Sequence, residues 1–392
     1  MSIDTAPAVA SALELETVAS HLHPTPSWEL SDHPEPTGRE EIWRFTPMKR
    51  LAPLLQAQAS TDNLDWETSI PEGVSLEQVE IARARELSVE APTDRVAALA
   101  GQNAAYGVHI DVPADTQVSE PVVLTATGKG GVVSEHTVIT IGAHAEVTFV
   151  LHLKGSTTFA EKTDIRVGDG AQVTVVTVQD WADDAVHGGQ RSVMVGRDAH
   201  VRLITASLGG DLIRLQEDVR YDGPGGELEQ YGLYFVDAGQ HIQHRIFVDH
   251  NAPRTKSNVD YRGALQGEGA HSVWIGDVLI RKVAEDIETY EANKNLVLTD
   301  GCKADSVPNL EIETGEIAGA GHSSTTGHFD DNQLFYLMSR GIPEKEARRL
   351  VVQGFFFEII RKVGLPDVEA RLEEAVEEEL SFLESVSPEG AR

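Results

Sequence analysis

The segment Ile141-Gly-Ala-His-Ala-Glu-Val-Thr-Phe-Val150 returns as Val167-Gly-Asp-Gly-Ala-Gln-Val-Thr-Val-Val176 and as Val195-Gly-Arg-Asp-Ala-His-Val-Arg-Leu-Ile204, at offsets of 26 and 28 residues. The shared frame, V/I-G-x-x-A-x-V-x-x-V/I, is a glycine turn followed by a strand with apolar residues on alternate positions. No such unit can bury its apolar face alone, so the units must stack. A weaker echo in GPGGELEQYGLYF places Leu228 another 27 residues beyond Val201, and GEGAHSVWIG at 267–276 reads as a later one. A β-sandwich also puts glycine-led strands at its turns. The pattern favours a mainly β chain built as a parallel β-helix.

Around this core the texture changes. Residues 1–95 mix proline-bearing loops such as HPTPSW and DHPEPTGREE with the helical spacing of LEQVEIARARELSVE, which predicts an α-rich N-terminal region. Within it, Trp43, Phe45 and Met48 stand beside Arg44, Lys49 and Arg50 as an aromatic anchor for docking onto the rest. The β-helix core is expected over 96–317. Residues 318–392 are expected to form a bare turn, AGAGHSSTTGHFDD, followed by a C-terminal helical domain. There Asp330 or Asp331 caps the first helix, Gly341 ends it, and Pro343 suits the start of the next. Leu350–Ile360 is apolar on most sides and needs cover on more than one face. Residues 366–392 carry nine acids and two arginines and read as a solvated helix or tail.

The formal charge of −31 repels phosphate backbones and anionic lipid alike, which argues against nucleic acid and membrane partners. The opening MSIDTAPAVASALELETVASHL has Asp4, Glu14 and Glu16 and no basic start, and no apolar run approaches the roughly 18 residues that span a bilayer. A cytoplasmic protein is expected. With Cys302 as the single cysteine, neither a disulfide framework nor a four-thiolate iron–sulfur shell can be built within the chain.

Few residues invite chemistry. His241, His244 and His250 in HIQHRIFVDH do not form a compact site along an extended strand and read as ladder or core histidines. Cys302, with Lys303 beside it, reads as a small packed hydrophobe in place of a nucleophile or thiolate ligand. His322 is the stronger candidate. Its glycine and serine neighbours leave the imidazole open to a metal ion or a partner, although a turn histidine capping the next helix answers to the same residues. No G-x-S-x-G elbow accompanies Ser323 or Ser324, and GKGG at 128–131 lacks the spacing of a Walker loop, so no ATP hydrolysis by this chain is expected.

The blocks Pro308-Asn-Leu-Glu-Ile312, Gly321-His-Ser-Ser-Thr-Thr-Gly327, Leu334-Phe-Tyr-Leu-Met-Ser-Arg-Gly-Ile342 and Glu346-Ala-Arg-Arg-Leu-Val-Val-Gln-Gly-Phe-Phe356 resemble the C-terminal signature of the SufB/SufD family of SUF-system iron–sulfur cluster assembly proteins. Glu41-Ile-Trp-Arg-Phe-Thr46 and the chain length are most similar to the SufD branch. The resemblance implies a right-handed parallel β-helix between an α-rich N-terminal region and a C-terminal helical domain. It implies a non-enzymatic scaffold in a complex with the paralogue SufB and the ATPase SufC, which would dock on the C-terminal helices around Phe355–Phe357. A homodimer of the isolated chain is a further state it allows, and flavin binding is left open. The histidine of this segment, here His322, would help hold iron or a nascent iron–sulfur cluster transiently at the SufB–SufD interface. Family members often have a cysteine two places earlier, where this chain has Ala320. Outside the resemblance, a β-helix carbohydrate-active enzyme and a polymerising structural β-solenoid are the competing readings.

Overall fold

A computed structural model describes residues 25–329 and 331–386. The readings of the first 24 residues, of Asp330 as a cap and of the last six residues lie outside them. The sixteen strands are β1 (Asp65–Ser69), β2 (Ser75–Val79), β3 (Gly107–Val112), β4 (Val122–Ile141), β5 (Glu146–Val167), β6 (Gln172–Trp181), β7 (Val186–Val195), β8 (His200–Gly209), β9 (Leu212–Tyr221), β10 (Glu227–Val236), β11 (His241–His250), β12 (Lys256–Leu265), β13 (His271–Ile280), β14 (Glu288–Val297), β15 (Lys303–Ile312) and β16 (Gly319–His328). From β3 onward every pairing between neighbouring rungs is parallel. The strands run in two ladders, β5-β6-β8-β10-β12-β14-β16 and β5-β7-β9-β11-β13-β15, both starting from the long β5. The result is a parallel β-solenoid of about eight turns.

The repeat frame is the turn that leads into the first ladder. Its valines stack as a column, Val147–Val173–Val201–Leu228, each buried. Burying such a side chain contributes about 1.5–3 kcal/mol. The alanine of the frame accepts no compromise in size either: Ala145, Ala171 and Ala199 are buried beneath the turns. Glycine leads the frame because successive turns touch. A Cβ at Gly168 would lie 2.6 Å from the Ala143 backbone nitrogen, and one at Gly196 2.6 Å from the Gly168 carbonyl carbon. The echo at 267–276 is real but belongs elsewhere, since it leads into β13 of the second ladder.

The N-terminal region is less helical than the sequence suggests. Besides α1 (Met48–Leu51), α2 (Ile81–Leu87) and α3 (Arg95–Asn103), it contributes β1 antiparallel to β4 and β2 antiparallel to β3. LEQVEIARARELSVE, expected as one helix, is divided between β2 and α2. Edge pairing with the solenoid overrides local helix propensity there. The two added strands line, with the first rungs of the solenoid, a cavity of about 460 Å³ that opens to the surface. Trp43 is buried with Leu51, Leu54 and Val96 against Ala160, Val186 and Leu212 of the solenoid, and the Arg214 guanidinium lies 3.9 Å from its ring centre. The anchor therefore docks the N-terminal region on the solenoid wall.

At the other end three helices, α4 (Asp331–Ser339), α5 (Glu344–Ile360) and α6 (Pro366–Val386), fold back along the solenoid flank. Gly341 terminates α4 with a positive φ of 87°. The over-apolar α5 gains its cover inside the chain: Val352, Phe356, Ile359 and Ile360 are buried against Tyr231, Leu233 and Ala264 of the solenoid and against α6. Arg262 Nη1 donates to the Phe355 carbonyl at 3.0 Å and Arg262 pairs with Glu358 at 2.7 Å. The acidic segment is not merely solvated either, because α6 buries Val368, Leu372, Val376 and Leu380 on one face. Among the described residues of these helices, exposed large apolar side chains are Phe335, Tyr336 and Met338 on α4 and Leu350 on α5.

Candidate functional site

The segment expected as a bare turn, AGAGHSSTTGHF, is a strand. β16 pairs in parallel with β14 along its full length, with His322 opposite Glu291, so the solenoid extends past 317 to His328. The sequence hides this because β16 is the final rung. With no further rung stacked on it among the described residues, its side chains need not be apolar, and small polar residues replace the valines of earlier turns.

Register places His322 in the bore. The column through its position reads Phe149, Val175, Leu203, Gln230, Val259, Glu291, His322, and the one two residues earlier reads Val147, Val173, Val201, Leu228, Ser257, Thr289, Ala320. The members up to Leu203 and Leu228 belong to the interior core, and side chains two apart share a face of a strand. Ala320 and His322 therefore stand side by side on the inward face of the last turn. Polar residues enter both columns toward this end, Gln230 and Glu291 in the first and Ser257 and Thr289 in the second.

His322 is half-exposed, with 43% of its side chain accessible, whereas Glu291 directly beneath it is buried at 2%. His322 Nδ1 lies 3.9 Å from Glu291 Oε1. Neither oxygen of Glu291 has a hydrogen-bond partner among the described residues. Burial pushes this carboxyl up to about 8, and the neighbouring Asp277 adds to the rise. Glu291 was not singled out by sequence reasoning; in ETYEANKNLV it reads as one more acid on an exposed strand. The only signal for it is its register with His322, which the sequence does not display.

The other candidates are structural. β11 is buried along its whole length. His244 Nε2 meets Ser207 Oγ at 3.1 Å, His250 lies between Thr255 and Ser257 hydroxyls at 2.7 and 2.9 Å, and His241 Nδ1 meets His271 Nδ1 at 3.2 Å. Desolvation pushes all three down to about 3, so they are neutral core residues. Cys302 is half-buried against the core, with its thiol donating to the Gly267 carbonyl at 3.4 Å. His328 is at the far end of β16, paired with Val297, and the strand does not bring it to His322. Among the described residues no three His, Cys, Asp or Glu side chains converge to hold a metal ion. No helix among them is long and apolar enough to cross a membrane.

Comparison with known proteins agrees with this architecture. Residues 123–355 match the family model described as the SUF system FeS cluster assembly, SufBD core domain. An iron–sulfur cluster assembly SufBD family protein of Mycobacterium bovis is 49% identical over 368 residues, covering 92% of this chain and 93% of the relative. One of Mycobacterium leprae is 47% identical over 370 residues, covering 92% and 94%. The iron–sulfur cluster assembly protein SufD of Bacillus subtilis is 26% identical over 283 residues, covering 69% and 63%. A parallel solenoid whose polar end carries His322, matched by this domain over more than half its length, belongs to the SufB/SufD family of iron–sulfur cluster assembly proteins.

Proposed function

We propose that this chain is a non-enzymatic scaffold subunit of the SUF assembly complex, SufD-like in role, which pairs with a SufB paralogue and a SufC ATPase in the cytoplasm. In this reading His322 is a ligand for iron or for the nascent cluster where the two scaffold subunits meet. The observation that carries it is the contrast between the two ends of the solenoid. The N-terminal end finishes in the short five-residue edge strands β1 and β2, whereas among the described residues the C-terminal end leaves the ten-residue edges of β15 and β16 without a further rung, with His322 at the mouth of the bore.

Uncovered strand edges of this length are normally blunted or paired, because each presents unsatisfied backbone donors and acceptors. A second solenoid of the same family would satisfy them and would bring its own ligands to His322. Mycobacterium leprae supports two distinct kinds of subunit, having one SufBD family relative at 47% identity and another at 27% identity over 277 residues. A single half-exposed imidazole suits transient handling of iron better than storage, since an iron–sulfur centre needs several ligands and this chain has one thiol, Cys302, in a turn ahead of β15. The exposed Phe335, Tyr336 and Met338 on α4 are the surface offered to the ATPase.

The test is His322→Ala in the reconstituted complex. Folding and copurification of the subunits are expected to be unchanged while cluster formation falls; a normal cluster yield would refute the role of His322.

A further inference from the structure

Glu291 is anomalous in this molecule. Buried carboxylates elsewhere in the solenoid have partners: Glu217 accepts from Arg191, Gln230 and Tyr261, Asp164 from Lys162, and Asp249 from Arg281. Glu291, as deeply buried, has both oxygens without a hydrogen-bond donor among the described residues. Leaving a buried polar group unsatisfied is costly, and a carboxyl with both oxygens in that state calls for a specific explanation such as a bound ion.

The surroundings hold the carboxylate in place without pairing it. Its Oε2 lies over Gly276, where a Cβ would come within 2.5 Å of that oxygen and 2.3 Å of the Trp274 ring. Any larger residue at 276 would displace the carboxylate or the indole. The indole nitrogen of Trp274 and the hydroxyl of Ser306, one rung above it in the second ladder, are likewise buried and unpartnered.

We propose that Glu291 is the second protein ligand of the His322 site, its carboxylate and the His322 imidazole together holding a ferrous ion that enters through the open end of the solenoid. The 3.9 Å between His322 Nδ1 and Glu291 Oε1 is close to the roughly 3.4 Å between two ligand atoms that each lie about 2.1 Å from a tetrahedral ion. Imidazole nitrogen with carboxylate oxygen is a donor set that suits ferrous iron. The two residues occupy successive rungs at one register position, so backbone hydrogen bonding fixes their spacing. The remaining coordination positions face out of the bore toward the partner. The inference rests on the assignment of His322 in the proposed function and adds a residue to it.

The experiment uses the full chain, titrated anaerobically with Co²⁺ as a spectroscopic stand-in for Fe²⁺, and compares the wild type with Glu291→Gln and His322→Ala by ligand-field absorption and calorimetry. Glutamine keeps the shape but removes the anionic donor. The wild type is expected to show one site that His322→Ala abolishes and that Glu291→Gln weakens by about tenfold or more, with the folded state of Glu291→Gln confirmed by its thermal transition. Unchanged affinity in Glu291→Gln, together with loss in His322→Ala, would overturn the role of Glu291 and leave that of His322 standing. Equal Co²⁺ uptake by the wild type and His322→Ala would overturn both.

Discussion

The Trp66 indole donates a hydrogen bond to Glu135 Oε1 at 2.9 Å, tying the exposed strand β1 to a carboxyl at the wall of the cavity. Burial raises this carboxyl to about 7; the indole bond opposes the rise and the nearby Glu161 carboxylate adds to it. A carboxyl raised on folding keeps a proton that the unfolded chain has already released, so its contribution to stability falls as pH climbs from the ordinary carboxylate range through about 7. Glu135→Gln removes that titration and keeps an acceptor for Trp66. The variant is expected to gain on the wild type between about pH 5 and about pH 8 in denaturant unfolding, and the gain should level off above. A stability difference that does not vary with pH would show that Glu135 is not raised.

Asp94 serves two structures at once. Its side chain caps α3 by accepting from the Ala97 N–H at 3.0 Å, and it pairs at 2.6 Å with Arg214, whose guanidinium lies on Trp43. Both charges are buried. Asp94→Ala should cost roughly 3–5 kcal/mol because it strands the guanidinium, with about 1 kcal/mol of cap lost besides. Adding Arg214→Met should recover much of the loss, leaving mainly the cap. A double-mutant cycle with no coupling would mean that the pair does not hold the N-terminal region to the solenoid.

How far the sequence displays this molecule depends on what covers each strand. The frame around Gly142, Gly168 and Gly196 is legible because stacked turns impose the same small residues at each level. In the second ladder single strands are legible, HIQHRIFVDH among them, but not the ladder they form, since strands such as β11 are buried along both faces and show no inward alternation to mark a common register. β1 is missed for the opposite reason: all five of its residues are exposed, so no apolar period exists to read. His322 is visible through its motif, but its partner Glu291 comes from a strand 31 positions earlier and is visible only once the register is known. That the helix around Phe355–Phe357 needs cover on more than one face is legible from its composition, but that the solenoid flank and α6 supply the cover is decided by tertiary packing.

Gly196 tests the turn argument. A methyl group there would press on the Gly168 backbone below it, which cannot move as a side-chain end can. Gly196→Ala should cost about 1–3 kcal/mol through overpacking. Because rungs of a solenoid depend on their neighbours, hydrogen exchange should accelerate first in β7 and β8, which flank the altered turn. Uniform acceleration across the whole solenoid would instead mean that the fold opens as one unit.

The C-terminal helices separate a packing role from a recognition role. Phe356 is wholly buried between α5 and the solenoid flank, so Phe356→Ala should cost about 3–5 kcal/mol and loosen the helices. Phe335 and Tyr336 on α4 are 73% and 56% exposed and contribute little to that core. Replacing both with serine should therefore leave stability within about 0.5 kcal/mol of the wild type. If α4 is the surface offered to the ATPase, the same double replacement should abolish copurification with SufC while the pairing of the two scaffold subunits survives. Retained SufC with unchanged stability would move the dock away from α4. Loss of both subunits together would instead place α4 in the scaffold interface.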